Sequence, residues 1–204
     1  EAVPCTPTLT LSSQAIGYYN SAMSDTATLE FYYGQVKAEG TTQVFEVYRN
    51  GVVIQTPRDP KTEKLARKQL SEFGFQKQTS FYASPSEETF YFNHDAHWLE
   101  FLSKRASLLK QQGWRIIVDK SFRHNLATIQ DWTANVSEES GWFGLELGIV
   151  IDGKTLPLVP LLVGLLRRMP NALTIKELEQ TPDDRVFYAA LEDGRSVALP
   201  VHRI

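Results

Sequence analysis

A chain of 204 residues, 42% hydrophobic and 22% charged, holds enough apolar material for one good core or two small ones, which excludes global disorder. Its 21 Lys plus Arg stand against 24 Asp plus Glu, a net charge of −3, so it lacks the basic balance of a self-sufficient nucleic-acid binder and any such binding must come from a local patch. The single Cys5 excludes an internal disulfide and a thiolate metal cluster, and it fits a reducing, cytoplasmic location.

The longest apolar stretch, Leu156 to Leu166, is too short for a bilayer and is interrupted by Pro157 and Pro160, so no membrane partner is expected. The opening Glu1-Ala2-Val3-Pro4 has neither an initiator Met nor a basic and then apolar leader, which reads as a segment of a longer protein without a secretory signal.

Thr26 to Tyr33 and Val44 to Tyr48 are rich in aromatic and β-branched residues and predict strands. Asn50-Gly51 supplies the positive φ values of a two-residue hairpin turn, with Val52-Val53-Ile54 returning as the partner. Asp59 caps a helix from about Pro60 to Phe73, ended by Gly74, with Leu65, Ala66, Leu70 and Phe73 on one face and Lys61, Lys64 and Lys68 on the other. The polar stretch Gln76 to Glu88, containing Ser84-Pro85-Ser86, reads as a loop or subdomain linker.

Asp95 is the expected cap of a second helix with an apolar stripe of Trp98, Phe101, Leu102, Leu108 and Leu109, stopped by Gly113. Trp114 to Val118 is the next strand. Asp152-Gly153 and Asp193-Gly194 signal two more hairpins, after Leu145 to Ile151 and Val186 to Leu191, and Val159 to Arg168 reads as a short buried helix started by Pro160. These elements predict an α+β fold of antiparallel hairpins with two or three packed helices. The predicted division is a β-rich subdomain with one helix over 1–76, a linker over 77–88 and an α+β subdomain over 89–204.

Gly148-Ile149-Val150-Ile151-Asp152-Gly153-Lys154-Thr155 satisfies the phosphate-loop pattern letter for letter. A phosphate loop must be an amide nest with its Lys and Thr opening a helix, whereas Ile149 to Ile151 favour a strand, Asp152-Gly153 a turn, and Pro157 blocks the helix. The hairpin reading is therefore preferred. His94, Asp95 and His97 form a metal-ligand candidate that the capping role of Asp95 explains better. The pairs Glu138-Glu139 and Asp183-Asp184 read as solvated acids in turn-like surroundings. No Gly-x-Ser-x-Gly elbow or Asp-Glu-x-His box occurs.

The electrostatic feature worth pursuing is Lys104, Arg105, Lys110, Arg115, Lys120 and Arg123, six cations facing the single acid Asp119. Interleaved Trp114 and Phe122 offer stacking platforms for bases if exposed, and a solvated face over core aromatics if not. Arg167 and Arg168, at a helix end, either extend this candidate nucleic-acid contact or complement the helix dipole.

Several separated stretches resemble the helicase-associated region that precedes the motor in bacterial Swi/Snf-type helicases. Trp98-Leu99-Glu100-Phe101-Leu102 followed by Gly113-Trp114-Arg115-Ile116 is similar to its helix and Gly-Trp strand. Phe122, Trp132 and Trp142-Phe143-Gly144-Leu145-Glu146-Leu147-Gly148 follow in the same order, then Asp152-Gly153, Leu158 to Leu162, and Asp193-Gly194-Arg195 through Leu199 to Ile204. The resemblance covers about residues 90–204, and earlier only the Arg58-Asp59-Pro60 junction and the strand–helix order. It implies that the aromatics and glycines are architectural and that the ATP-binding and acid-box motifs lie downstream of Ile204. The segment itself is then non-catalytic and without a cofactor, with the downstream ATPase domain of the same polypeptide as partner and DNA as a further one. Two functions compete: an accessory module that positions nucleic acid or regulates the motor, and a structural protein-interaction domain with no nucleic-acid affinity. A nucleotide-binding enzyme rests on the Gly148 to Thr155 pattern alone.

Overall fold

In Thr8-Leu9-Thr10-Leu11, hydroxyl and apolar side chains alternate, so a strand sends one set to each face. The computed structural model describes residues 2–15, 23–79, 88–139, 142–169, 181–182 and 185–204. It places β1 at Cys5–Ala15, antiparallel to β2 at Met23–Tyr33, in unbroken register from Cys5↔Tyr33 to Ala15↔Met23. Leu9, Leu11, Ala27, Leu29 and Phe31 face the core, while Thr10, Thr26 and Thr28 remain half-exposed.

Val36–Lys37 (β3) pairs with β2. Val44–Arg49 (β4) and Val52–Pro57 (β5) form the predicted two-residue hairpin, with Asn50 at φ 51° and Gly51 at φ 82°. Its Phe45 and Val47 pack on Tyr33, the two rings stacked 4.4 Å apart.

Helix α1, Pro60–Glu72, starts where Asp59 accepts hydrogen bonds from the Lys61 and Thr62 amides at 3.1 Å and stops before Gly74, at φ 88°. Its inward face differs from the one expected. Glu63, Ala66 and Leu70 are buried, whereas Leu65 is 55% exposed. Glu63 earns that place through partners: the Arg58 guanidinium holds both its oxygens, at 2.7 and 2.9 Å, and the Tyr33 hydroxyl donates to it at 3.3 Å.

The expected linker begins as a strand, because Gln76–Lys77 (β6) pairs with Glu88–Tyr91 (β7), which in turn pairs with β2. Ser84-Pro85-Ser86 lies outside the described residues. The next helical run comprises α2 (Ala96–Glu100), a π-turn (Phe101–Arg105) and α3 (Ala106–Gln111), and Gly113 ends it at φ 88°. The π-turn inserts an extra residue and shifts the buried face from Trp98 and Phe101 to Ala106 and Leu109. Leu108, expected inside, is 44% exposed. Trp98 meets Phe92, Phe122 and Phe75 at 4.8, 5.3 and 5.6 Å between rings. Arg115–Val118 (β8) lies parallel to β1 and completes a six-stranded sheet in which β6, β7, β2, β1 and β8 are successive neighbours and β3 pairs with β2.

These pairings set the domain boundary. The chain divides into units Glu1–Arg123 and His124–Ile204, rather than at 77–88, because β7 and β8 belong to the sheet built on β1 and β2. In the second unit Leu126–Ala127 (β9) is followed by a meander of β10 (Asp131–Glu139), β11 (Trp142–Ile151) and β12 (Lys154–Pro157). Helix α4, Leu158–Arg168, starts two residues before Pro160. Val186–Ala190 (β13) and Ser196–Pro200 (β14) form a hairpin closed through Leu191 and Arg195 over Glu192, Asp193 and Gly194, a three-residue loop with Gly194 at φ 85°, and β14 pairs in parallel with β9. The core of this unit is Ile149, Ile151, Leu158, Leu165, Phe187, Val197 and Leu199 with their neighbours. The fold is α+β, as expected, and the two parallel pairings are what the sequence did not announce. Among the described residues no helix is long and apolar enough to cross a membrane.

Candidate interaction surface

The phosphate-loop segment is a β-hairpin. Gly148 to Ile151 complete β11, Asp152 (φ 50°) and Gly153 (φ 73°) turn, and Lys154 and Thr155 return opposite Ile151 and Val150. Both turn residues have positive φ, as the two-residue turn that matches strand twist requires. The Gly153 amide donates to the Gln130 side chain at 2.8 Å and Asp152 pairs with Arg195 at 2.8 Å. Lys154 and Thr155 therefore open no helix, and the amide nest that would hold a phosphate is not formed. Gly148 is needed for close packing: a Cβ there would lie 2.7 Å from the Thr133 hydroxyl and 3.0 Å from the Thr155 methyl.

The basic stretch is dispersed and partly committed to the fold. Trp114 and Phe122, the intended stacking platforms, are buried in the aromatic core. Arg105 lies over the Phe73 ring at 5.5 Å and Arg115 over Tyr32 at 5.7 Å, while Lys104 is 4.0 Å from Glu100. Lys110 and Lys120 are exposed, one near the end of α3 and the other in the turn after β8. Arg123 is a structural cation. Its guanidinium donates to Asp25 at 2.6 to 2.9 Å and to Asp95 at 2.9 Å, and the Asp25 carboxylate, only 4% exposed, also accepts the Ser13 hydroxyl at 2.6 Å. Hydrogen bonding to Asp25 holds the arginine further above its already high ordinary pKa, against the opposing pull of desolvation.

Asp95 caps nothing: it has helical dihedrals and its side chain makes no capping bond to α2, because it turns to Arg123. His97 sets its ring edge-on to Phe92 at 5.6 Å, and His94 meets His97 at 5.7 Å. Glu138 is exposed, as expected, but it belongs to β10 rather than to a turn, and Asp183-Asp184 lies outside the described residues. In α4 both arginines of the last turn, Arg167 and Arg168, are exposed, and Arg168 reaches the carbonyls of Gly164 and Tyr188 at 3.4 Å. They complement the carbonyl end of the helix.

The feature that the sequence pattern did not separate from core is an uncovered apolar face on the second unit. Along β11, Phe143, Leu145, Leu147, Ile149 and Ile151 occupy one face. Ile149 and Ile151 are buried, whereas Phe143 is 76% exposed and Leu145 63%. Directly across from Leu145 on β10 stands Val136, 71% exposed. Helix α4 repeats the pattern: Leu158 and Leu165 are buried, and Val159, Val163 and Leu166, spaced four and three residues apart, are exposed. On the other face of the meander, Thr133, Asn135, Glu146, Gly148 and Pro157 line a groove of about 350 Å³ together with Val159. Of the aromatics and glycines expected to be architectural in the Trp-Phe-x-Leu-x-Leu-Gly stretch, Gly148 is tightly packed, whereas Phe143 stands in solvent.

No family model, no curated protein and no solved structure matches this chain.

Proposed function

We propose that the chain is a non-catalytic accessory module of a Swi/Snf-type DNA-dependent ATPase, and that it serves the motor by protein contact rather than by gripping DNA. The ordered motifs from Trp98 to Arg203 support the family. The observation that carries the mode of action is the side-by-side exposure of Val136, Phe143 and Leu145. A helix whose apolar stripe is as wide as that of α4 is normally covered across all of it, and rows of exposed apolar side chains mark interaction surfaces. The nucleic-acid alternative loses its stacking pair to the core and Arg123 to Asp25.

Two measurements test this. Reading the gene past Ile204 finds ATP-binding and acid-box motifs if the family is right, and their absence overturns it. Anisotropy of a labelled 20-base-pair duplex and of a 20-nucleotide single strand, titrated with the full chain between about 50 and 200 mM salt, shows no tight complex. A complex whose affinity falls by about 10³ or more over that range would mean many phosphate contacts, and would overturn the protein-contact mode.

A further inference from the structure

The two edges of the β10–β11–β12 meander differ in chemistry. The β12 edge is four residues long, begins with Lys154 and ends with Pro157, and so carries the cation and the missing amide donor that natural edges use to refuse a further strand. The β10 edge is nine residues long, contains no Pro, Lys or Arg, and runs opposite β11 one residue for one, without a bulge, from Asp131↔Val150 to Glu139↔Trp142. Among the described residues β10 pairs with β11 alone. An edge strand of that length and composition presents a row of backbone donors and acceptors ready for another chain.

Charge selects the occupant. Residues 131–151 carry Asp131, Glu138, Glu139 and Glu146 and not one Lys or Arg. Arg195 on Asp152, Arg203 over Trp132 and Lys154 opposite Ile151 stand at the end of the hairpin remote from Phe143. A nucleic acid is repelled. A second copy pairing through the same edge would bring together two hairpins that each hold four carboxylates. A cationic protein strand is attracted, and its apolar side would extend the layer of Val136, Leu145 and Phe143.

We infer that the β10 edge accepts, by strand addition, an extended protein segment that alternates apolar and basic residues, an inference resting on the protein-contact reading above. Backbone pairing supplies register, the apolar side chains cover Val136, and the cations answer the carboxylates of the other face, Asp131 and Glu146.

The probe is a fluorescent, end-capped octapeptide of alternating lysine and valine, titrated against the full chain. It binds, and more weakly as salt rises; its glutamate–valine counterpart shows no binding at the same concentrations. Two further peptides carry N-methyl groups on every valine amide or on every lysine amide. Side chains and backbone directions alternate together in a strand, so one methylated peptide binds as the parent does and the other binds at least tenfold more weakly. Val136→Lys in the protein reduces binding at least tenfold. If both methylated peptides bind alike, or the glutamate peptide binds as well, strand addition to this edge is overturned while protein contact stands. No binding by the lysine peptide overturns the inference as well. A steeply salt-dependent DNA complex, measured separately, is the result that removes the underlying reading.

Discussion

The first unit gathers aromatic rings into its core, and the second holds Phe143 outside. In residues 1–123, Phe75, Phe92, Trp98, Phe101, Trp114 and Phe122 interlock in one core. In residues 124–204 the core is chiefly aliphatic, and Phe143, Leu145 and Val136 continue its strand face into solvent. Lengths account for the difference. An eleven-residue helix spans about 16 Å, whereas a ten-residue strand runs about 33 Å, so α4 covers Ile149 and Ile151 but not the far half of β11. Alternating apolar residues report that a face needs covering; they do not report whether the chain itself supplies the cover.

The sharpest way to break this comparison is to remove the ring at the centre of the first core. Trp98→Ala costs about 3–5 kcal/mol, since it opens a cavity among three other rings. Denaturant unfolding, with amide exchange resolved by unit, places that loss in residues 1–123. Arg123→Met comes next at about 2–3 kcal/mol, because the buried Asp25 carboxylate loses the guanidinium that holds both its oxygens. Adding Asp25→Asn recovers part of the loss. DNA titrations of Arg123→Met match the parent, whereas a phosphate contact would lower the salt slope by about one unit.

Much of the first unit was legible residue by residue. Asn50-Gly51, Asp59-Pro60, Gly74 and Gly113 each mark a turn or cap whose φ value or hydrogen bond is local, and local chemistry is what one sequence displays. The errors came from partners distant in sequence. Glu63 is buried because Arg58 and Tyr33 surround it, which the helix pattern did not display, Asp95 looked like a cap until Arg123 arrived from 28 residues away, and the boundary near residue 77 dissolved because β7 and β8 join β2 and β1. Of the candidate site, the rejection of the phosphate loop was readable from Ile149 to Pro157. The fate of Trp114, Phe122 and Phe143 depended on which layers met, which composition does not encode.

A smaller effect tests the local half of that contrast. Asp59→Ala removes the acceptor of the first α1 amides and costs about 1 kcal/mol. Hydrogen bonds from the Thr62 side chain and amide hold the Asp59 carboxyl below its ordinary range. The folded value is therefore the lower one, and the stabilisation is complete at pH above the ordinary aspartate range and is lost as pH falls through the folded value. Parent and variant should differ in stability at neutral pH and converge in acid; a difference that persists in acid would assign the effect to helix propensity instead.

The smallest effect carries the most weight for function. With its ring in solvent, Phe143→Ser should change stability by no more than about 0.5 kcal/mol, unlike Trp98→Ala. Amide exchange across β10 and β11 should be unchanged, while capture of the lysine–valine peptide weakens. A loss above about 1 kcal/mol would mean that the ring is covered within the chain, and the second unit would then resemble the first. A neutral outcome for stability with weakened peptide capture separates two roles of an aromatic side chain: one that the chain buries for itself, as with Trp98, and one that it holds out for another protein to bury.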